Sequence, residues 1–134
     1  MKPLLLILIS VGVLSSSLIS SQSVQKPKVA CKTPENSKTC YWTHGRLVLA
    51  NGGYPNFRLW KIGTDRILGI YAGPARYPEG DEPDLGSELP AILEKYDFNK
   101  VDLFGDFEVC PLAPKKEEHM QPACIESAKN IVAK

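Results

Sequence analysis

The sequence predicts an α+β fold: a small antiparallel sheet, made of a three-strand meander plus a fourth strand, with two helices on one face. Three observations predict it. Segments that alternate apolar and polar residues are joined by short turns rich in Gly, Asn and Pro. Two later segments space their apolar residues as helices do. Four cysteines are enough for two disulfides that staple these parts together.

The N-terminal segment has the composition of a secretory signal peptide. Lys2 precedes an apolar run over residues 4–14, and a serine-rich stretch follows. The run is about half of the ~20 residues that a membrane-spanning helix needs. We therefore expect residues 1–23 to be removed, which would leave no stable membrane anchor, and we expect the protein to be secreted or periplasmic.

The remaining chain has the size and charge of one ordinary domain. Without Lys2 it carries 15 basic and 15 acidic side chains, so that its net charge is about zero. A balanced charge provides no electrostatic footprint for nucleic acid or for anionic lipid. We expect an extended N-terminal arm over residues 24–43 and a single α+β domain over residues 44–134.

The meander is the most strongly patterned part of the chain. A first strand is expected over residues 45–50, and "NGGYPN" then supplies hairpin-turn residues. A second strand is expected over residues 57–62. The turn "GTD" separates it from a third strand over residues 66–71.

The second half of the domain alternates between loops and regular elements. Residues 73–86 are rich in Pro, Gly and acids, which predicts a long loop. The segment "SELPAILEKYD" predicts a short helix, whose apolar face consists of Leu89, Ile92, Leu93 and Tyr96. A fourth strand is expected over residues 101–110. A last helix is expected to start near Pro122, with an apolar stripe formed by Cys124, Ala128, Ile131 and Val132.

Alternation along the strands predicts which side chains share a face of the sheet. We expect one set to lie under the helices: Leu47, Leu49, Phe57, Leu59, Leu103, Phe107 and Val109. A second, polar face then collects the candidate ligand-binding residues: His44, Arg46, Arg58, Trp60, Asp106 and Glu108.

This polar face has two interpretations. In the first, Arg46 and Arg58 pair with Asp106 and Glu108 across neighbouring strands, which would make the face structural. In the second, the two arginines grip a carboxylate or phosphate, and a ring stacks on Trp60.

The four cysteines predict disulfides, for which three pairings are possible. We expect Cys31–Cys40, because they bracket a turn-rich stretch, and Cys110–Cys124, which would tie the last helix to the sheet. The rival pairing is Cys31–Cys124 with Cys40–Cys110. It would tie the N-terminal arm across the sheet.

Other chemistry has weaker support in the sequence. Cys40 with His44, and His119 with Cys124, have metal-ligand spacings, but in an exported chain disulfides are the preferred reading. Sequence motifs for nucleotide-binding loops, zinc proteases and serine hydrolases do not occur. We therefore expect no cofactor and no metal.

The function that fits best is a small binding or interaction module for an unknown small molecule or protein. One alternative is an extracellular hydrolase or lyase that uses the His, Arg and carboxylate side chains of the polar face. Another is a structural accessory domain. A deep pocket beside His44 would favour the enzyme, whereas a flat apolar patch with exposed Trp42, Tyr54 or Trp60 would favour partner binding.

Overall fold

The structure is a computed structural model that describes residues 29–53, 55–77 and 89–134. The predicted signal peptide, its cleavage site and most of the predicted acidic loop lie outside these residues. Within them, no helix is long and apolar enough to span a membrane.

Five β-strands account for most of the regular structure in the described ranges. They are β1 (Tyr41–Leu49), β2 (Phe57–Lys61), β3 (Ile67–Ile70), β4 (Leu103–Pro111) and β5 (Gln121–Ala133). The helical elements are two single-turn 3-10 helices (Ser37–Thr39 and Pro74–Arg76) and one four-residue helix, α1 (Ala91–Glu94).

The strands close into a barrel in the order β1-β2-β3-β5-β4, with β4 returning to pair with β1. Four of the five pairs are antiparallel, and β3 with β5 is parallel. The five-stranded barrel resembles the OB fold, which is a five-stranded, partly open Greek-key barrel. Closure removes the free sheet edges that an open antiparallel sheet would expose to other chains.

The barrel interior is filled by the side chains that alternation along the strands assigns to it. Leu47, Leu59, Leu103, Phe107 and Val109 have no measurable solvent exposure. Phe57 is 4% exposed, and Leu49 packs against the same cluster from its edge. The inward set predicted from the sequence is therefore confirmed, although it lines a barrel and does not lie under two helices.

The predicted α+β class is wrong, chiefly because the last predicted helix is strand β5. Ala123, Ile125 and Ala128 of β5 point into the core, and Ile131 packs against it. Irregularities in the β4–β5 register leave extra residues on β5 at two places. Each bulge breaks the two-residue period of a strand. Inward residues consequently recur every third position from Ile125 to Ile131, which imitates the spacing of a helix.

The other predicted helix exists but is only one turn long. Pro90 has an extended backbone conformation, so that α1 begins at Ala91. Leu89 and Leu93 are buried in the core as expected, whereas Ile92 is 52% exposed. This short helix and its flanks close one part of the core and do not form a helical layer.

Two disulfides join the N-terminal arm to the barrel. Cys31 is bonded to Cys124 on β5, and Cys40 is bonded to Cys110 on β4. The expected pairing, Cys31–Cys40 with Cys110–Cys124, is therefore wrong, and the rival pairing is present. Cys110 and Cys124 are directly opposite each other on paired strands. Each nevertheless bonds to the arm, which runs alongside both strands.

Two disulfides indicate an oxidising compartment. Because all four cysteines are used, neither a zinc–thiolate site nor a cysteine nucleophile can form in the oxidised protein.

Candidate functional site: the outer sheet face

The outward side chains of β1 and β2 form a continuous surface, which we call the outer face. Its members are Trp42, His44, Arg46, Val48, Arg58 and Trp60. Strand β1 lies between β2 and β4 in the barrel, so that Asp106 and Glu108 of β4 border the outer face beside His44 and Trp42. All six predicted site residues therefore lie on or beside one surface.

His44 is held by a carboxylate on the neighbouring strand. Its Nδ1 donates a hydrogen bond to Asp106 at 2.9 Å, and Asn130 donates to the other oxygen of Asp106 at 2.9 Å. These hydrogen bonds, that from Asn130 first and that from His44 second, hold the pKa of Asp106 below its ordinary value of 3.8. The imidazole is oriented by this contact, yet 58% of its side chain is exposed to solvent.

This contact predicts a pH dependence that can be measured residue by residue. Because the pKa of Asp106 is lowered in the folded protein, the stabilisation it contributes is complete above 3.8 and is lost as the pH falls through the lowered value. We expect an NMR titration of the Asp106 carboxyl to have its midpoint below 3.8. Asn130→Ala should raise that midpoint. Asn99→Ala, which is distant in the fold, is the control, and equal shifts in both variants would contradict the assignment.

The predicted ion pairs between the arginines and Asp106 or Glu108 are wrong. Arg46 instead donates from Nε to Asp102 at 2.9 Å. Glu108 pairs with Lys32 of the N-terminal arm at 3.2 Å. Arg58 lies on β2 and is separated from β4 by the whole of β1, a separation that follows from the strand order.

Arg58 and Asn56 carry donors that have no acceptor. The Nε of Arg58 and the Nδ2 of Asn56 are both buried, and neither has a hydrogen-bond partner. No ion pair of Arg58 occurs among the described residues either. Buried donors without partners are rare in folded proteins, because leaving one unsatisfied costs about 1–3 kcal/mol.

The surroundings of Arg58 explain why no protein acceptor reaches it. Its register partners are Val48 on β1 and Gly69 on β3, and neither has a polar side chain. A Cβ at Gly69 would lie 2.8 Å from the ring of Pro55. The absence of a side chain at Gly69 therefore lets the β1–β2 loop pack closely against β3 beside the guanidinium.

Two tryptophans make the outer face partly apolar. Trp42 is 43% exposed and Trp60 is 44% exposed, and these are the only tryptophans in the chain. The Nζ of Lys129 lies 4.2 Å above the ring of Trp42. Ile62, whose amide donates to the carbonyl of His44, adds a further exposed apolar side chain next to this surface. Tyr54, which the sequence also suggested, lies outside the described residues.

The cavities of the described residues are elsewhere. One of about 320 Å³ lies between the β2–β3 turn and the loop before β5 and is lined in part by Arg66, Lys115 and His119. Another, about 290 Å³, lies between the arm and α1. Neither is lined by His44, whose side chain is more than half exposed.

Comparisons with protein-family models, with curated proteins and with solved structures found no match. Only the geometry of the outer face therefore bears on the function of the chain.

Three residues of this surface were missed by sequence reasoning. Asn56 was assigned to turn chemistry, although it shares the two-residue spacing of Arg58 and Trp60. Asp102 shares the two-residue alternation of Asp106 and already lies within the predicted strand over residues 101–110, so that it could have been included. Asn130 has no sequence signal, because its position in a bulge with a backbone φ of 56° depends on the β4–β5 pairing.

Proposed function

We propose that the chain is a secreted or periplasmic binding module that holds a partner protein on its outer face. The observation that carries the proposal is the pair of tryptophans, each more than two-fifths exposed on one side of the barrel. Tryptophan and arginine are the residues most enriched among those that dominate binding energy at protein interfaces.

The location has support from the architecture. OB folds bind oligonucleotides and oligosaccharides on the strand 2–3 face and the adjoining loops, and β2 of this barrel carries Arg58 and Trp60. Since one fold supports many functions, this analogy supports the place of binding and not the identity of the partner. The nearly balanced charge of the chain argues against nucleic acid as the partner.

A hydrolase or lyase is the second candidate, and the contact between His44 and Asp106 favours it. A carboxylate together with the imidazole that it orients supplies two of the three members of a catalytic triad. However, the imidazole is more than half exposed, and the described cavities do not border it. A solvated histidine on an open surface can contact a partner, but its surroundings do not exclude water as a closed active site does.

Site-specific photocrosslinking in the cell that produces the protein tests the proposal. A photoreactive residue at Ile62, beside the outer face, should give a defined crosslinked species. The same residue at Ile92, which is 52% exposed on α1 against 48% for Ile62, is the matched control and should give none. Trp60→Ala should abolish the Ile62 crosslink. Equal crosslinking at both positions would contradict the proposal. The absence of a crosslink at both positions would also contradict it and would favour a structural accessory domain.

A further inference from the structure

We infer that the outer face recognises an oxyanion beside a ring: Arg58 and Asn56 bind the oxyanion, and Trp60 packs against the ring. This inference rests on the proposed function and deepens it, because it names the chemistry that a partner must present. For a protein partner, the matching element is a carboxylate next to an aromatic or other flat apolar group.

The unpartnered groups of Arg58 and Asn56 require a hydrogen-bond acceptor. Both unpartnered groups, the Nε of Arg58 and the Nδ2 of Asn56, are donors, so that only an acceptor can satisfy them. They lie two residues apart in the chain, Asn56 immediately before β2 and Arg58 within it. An oxyanion at Arg58 would make charge-assisted hydrogen bonds, which are the strong class of hydrogen bond.

The acidic side chains beside the outer face do not balance the positive charge of Arg58. Each acidic side chain that borders the outer face is already occupied: Asp102 by Arg46, Asp106 by His44 and Asn130, and Glu108 by Lys32. Arg58 is the cation of this surface that the described residues leave uncompensated. An incoming anion would therefore neutralise a charge without breaking an existing pair.

The indole ring of Trp60 lies beside the place where the oxyanion would bind. Trp60 follows Arg58 by two residues on the same side of β2, and 44% of it is exposed. A cation stacks on Trp42, but none of the described cations stacks on Trp60. The face of Trp60 is therefore open to a ligand, directly beside the place where the oxyanion would lie.

Three small probes separate the two parts of the site: acetate, phenylacetate and benzyl alcohol. NMR would follow the Arg58 Nε–H signal and both tryptophan indole signals of the oxidised chain during each titration. We expect acetate to shift Arg58, and we expect phenylacetate to shift both Arg58 and Trp60 with an affinity roughly three- to tenfold higher. Benzyl alcohol should bind more weakly than phenylacetate, because it lacks the charge.

Variants assign the binding to the named residues. Arg58→Met keeps the length of the side chain and should weaken phenylacetate binding by at least roughly tenfold. Asn56→Ala should weaken it less, and Trp60→Ala should reduce phenylacetate to the affinity of acetate. Arg66→Met removes an exposed arginine outside the site and is the control for net charge. The thermal midpoint of Arg58→Met should equal or exceed that of the parent, because the variant removes a buried donor that has no partner.

The outcomes distinguish this inference from the function on which it rests. If no probe shifts Arg58 at 50 mM (on the order of the weak affinity of a single charged contact), or if Arg66→Met lowers affinity as much as Arg58→Met, the oxyanion site is overturned. Shifts of Trp60 without Arg58 would overturn the oxyanion site and leave the outer face as the binding surface. Shifts of Arg58 with neither tryptophan during the phenylacetate titration would overturn the contact between Trp60 and the ring.

Discussion

Replacing Cys31 and Cys124 together by alanine is expected to lower the free energy of unfolding by about 3–4 kcal/mol, although the second disulfide remains. The two bridges are nested, because Cys40–Cys110 lies inside the loop that Cys31–Cys124 closes. With the inner bridge intact, the outer one closes only the short segments 31–40 and 110–124. For a loop of roughly 24 residues, the chain-entropy relation gives about 3.4 kcal/mol.

Urea denaturation of the oxidised proteins measures this effect, and peptide mapping without reductant supports it. Mapping of the parent protein should yield one peptide that joins Cys40 to Cys110 and another that joins Cys31 to Cys124. In the double variant, thiol titration should find no free thiol. Two free thiols, or a parent peptide that joins Cys31 to Cys40, would show that the observed pairing is incorrect.

Phe107→Ala is expected to destabilise the barrel by about 3–5 kcal/mol. Phe107 has no solvent exposure and belongs to the main core cluster. On the neighbouring strands it is opposite Thr43 and Ala128, two small residues that could not refill the space. The loss therefore includes both the transfer of the ring and the cavity that remains.

Val132→Ala is the control for this substitution. Val132 is on β5, next to β4, but it is 51% exposed, so that its truncation should change stability by no more than about 0.5 kcal/mol. Urea denaturation would compare the free energies of unfolding of the two variants, with the same slope against urea concentration in both. A loss below about 1 kcal/mol for Phe107→Ala would be inconsistent with a closed and well-packed interior.

The two disulfides and the core cluster supply complementary stabilising interactions in this small chain. Few helical residues are present in the described ranges, so that the apolar surface is buried almost entirely inside the barrel. The arm contributes little apolar surface of its own beyond Cys31. Its bridges to β4 and β5 therefore fix a segment that packing alone would hold only weakly.

The candidate site shows which features strand alternation can predict and which it cannot. Alternation needs only the two-residue period of a strand, and it correctly placed His44, Arg46, Arg58 and Trp60 on one side. It cannot say which strand lies beside which. One of the two interpretations paired Arg58 with Asp106 or Glu108, but β1 separates β2 from β4, and this separation leaves the guanidinium without an acid.

The sequence by itself determined the approximate positions of β1 to β4, the apolar side chains that β1, β2 and β4 point inward, and the presence of two disulfides, although β1 begins four residues before the expected strand. These properties depend on local periodicity, on turn residues and on the number of cysteines. All three can be read from the chain without knowing which distant segments become neighbours. Only the tertiary structure decided that residues 121–133 form a strand, since the bulges that disguise β5 exist only when it pairs with β4. Closure of the barrel likewise decided the cysteine partners and left Arg58 unpaired, because both depend on which distant segments become neighbours.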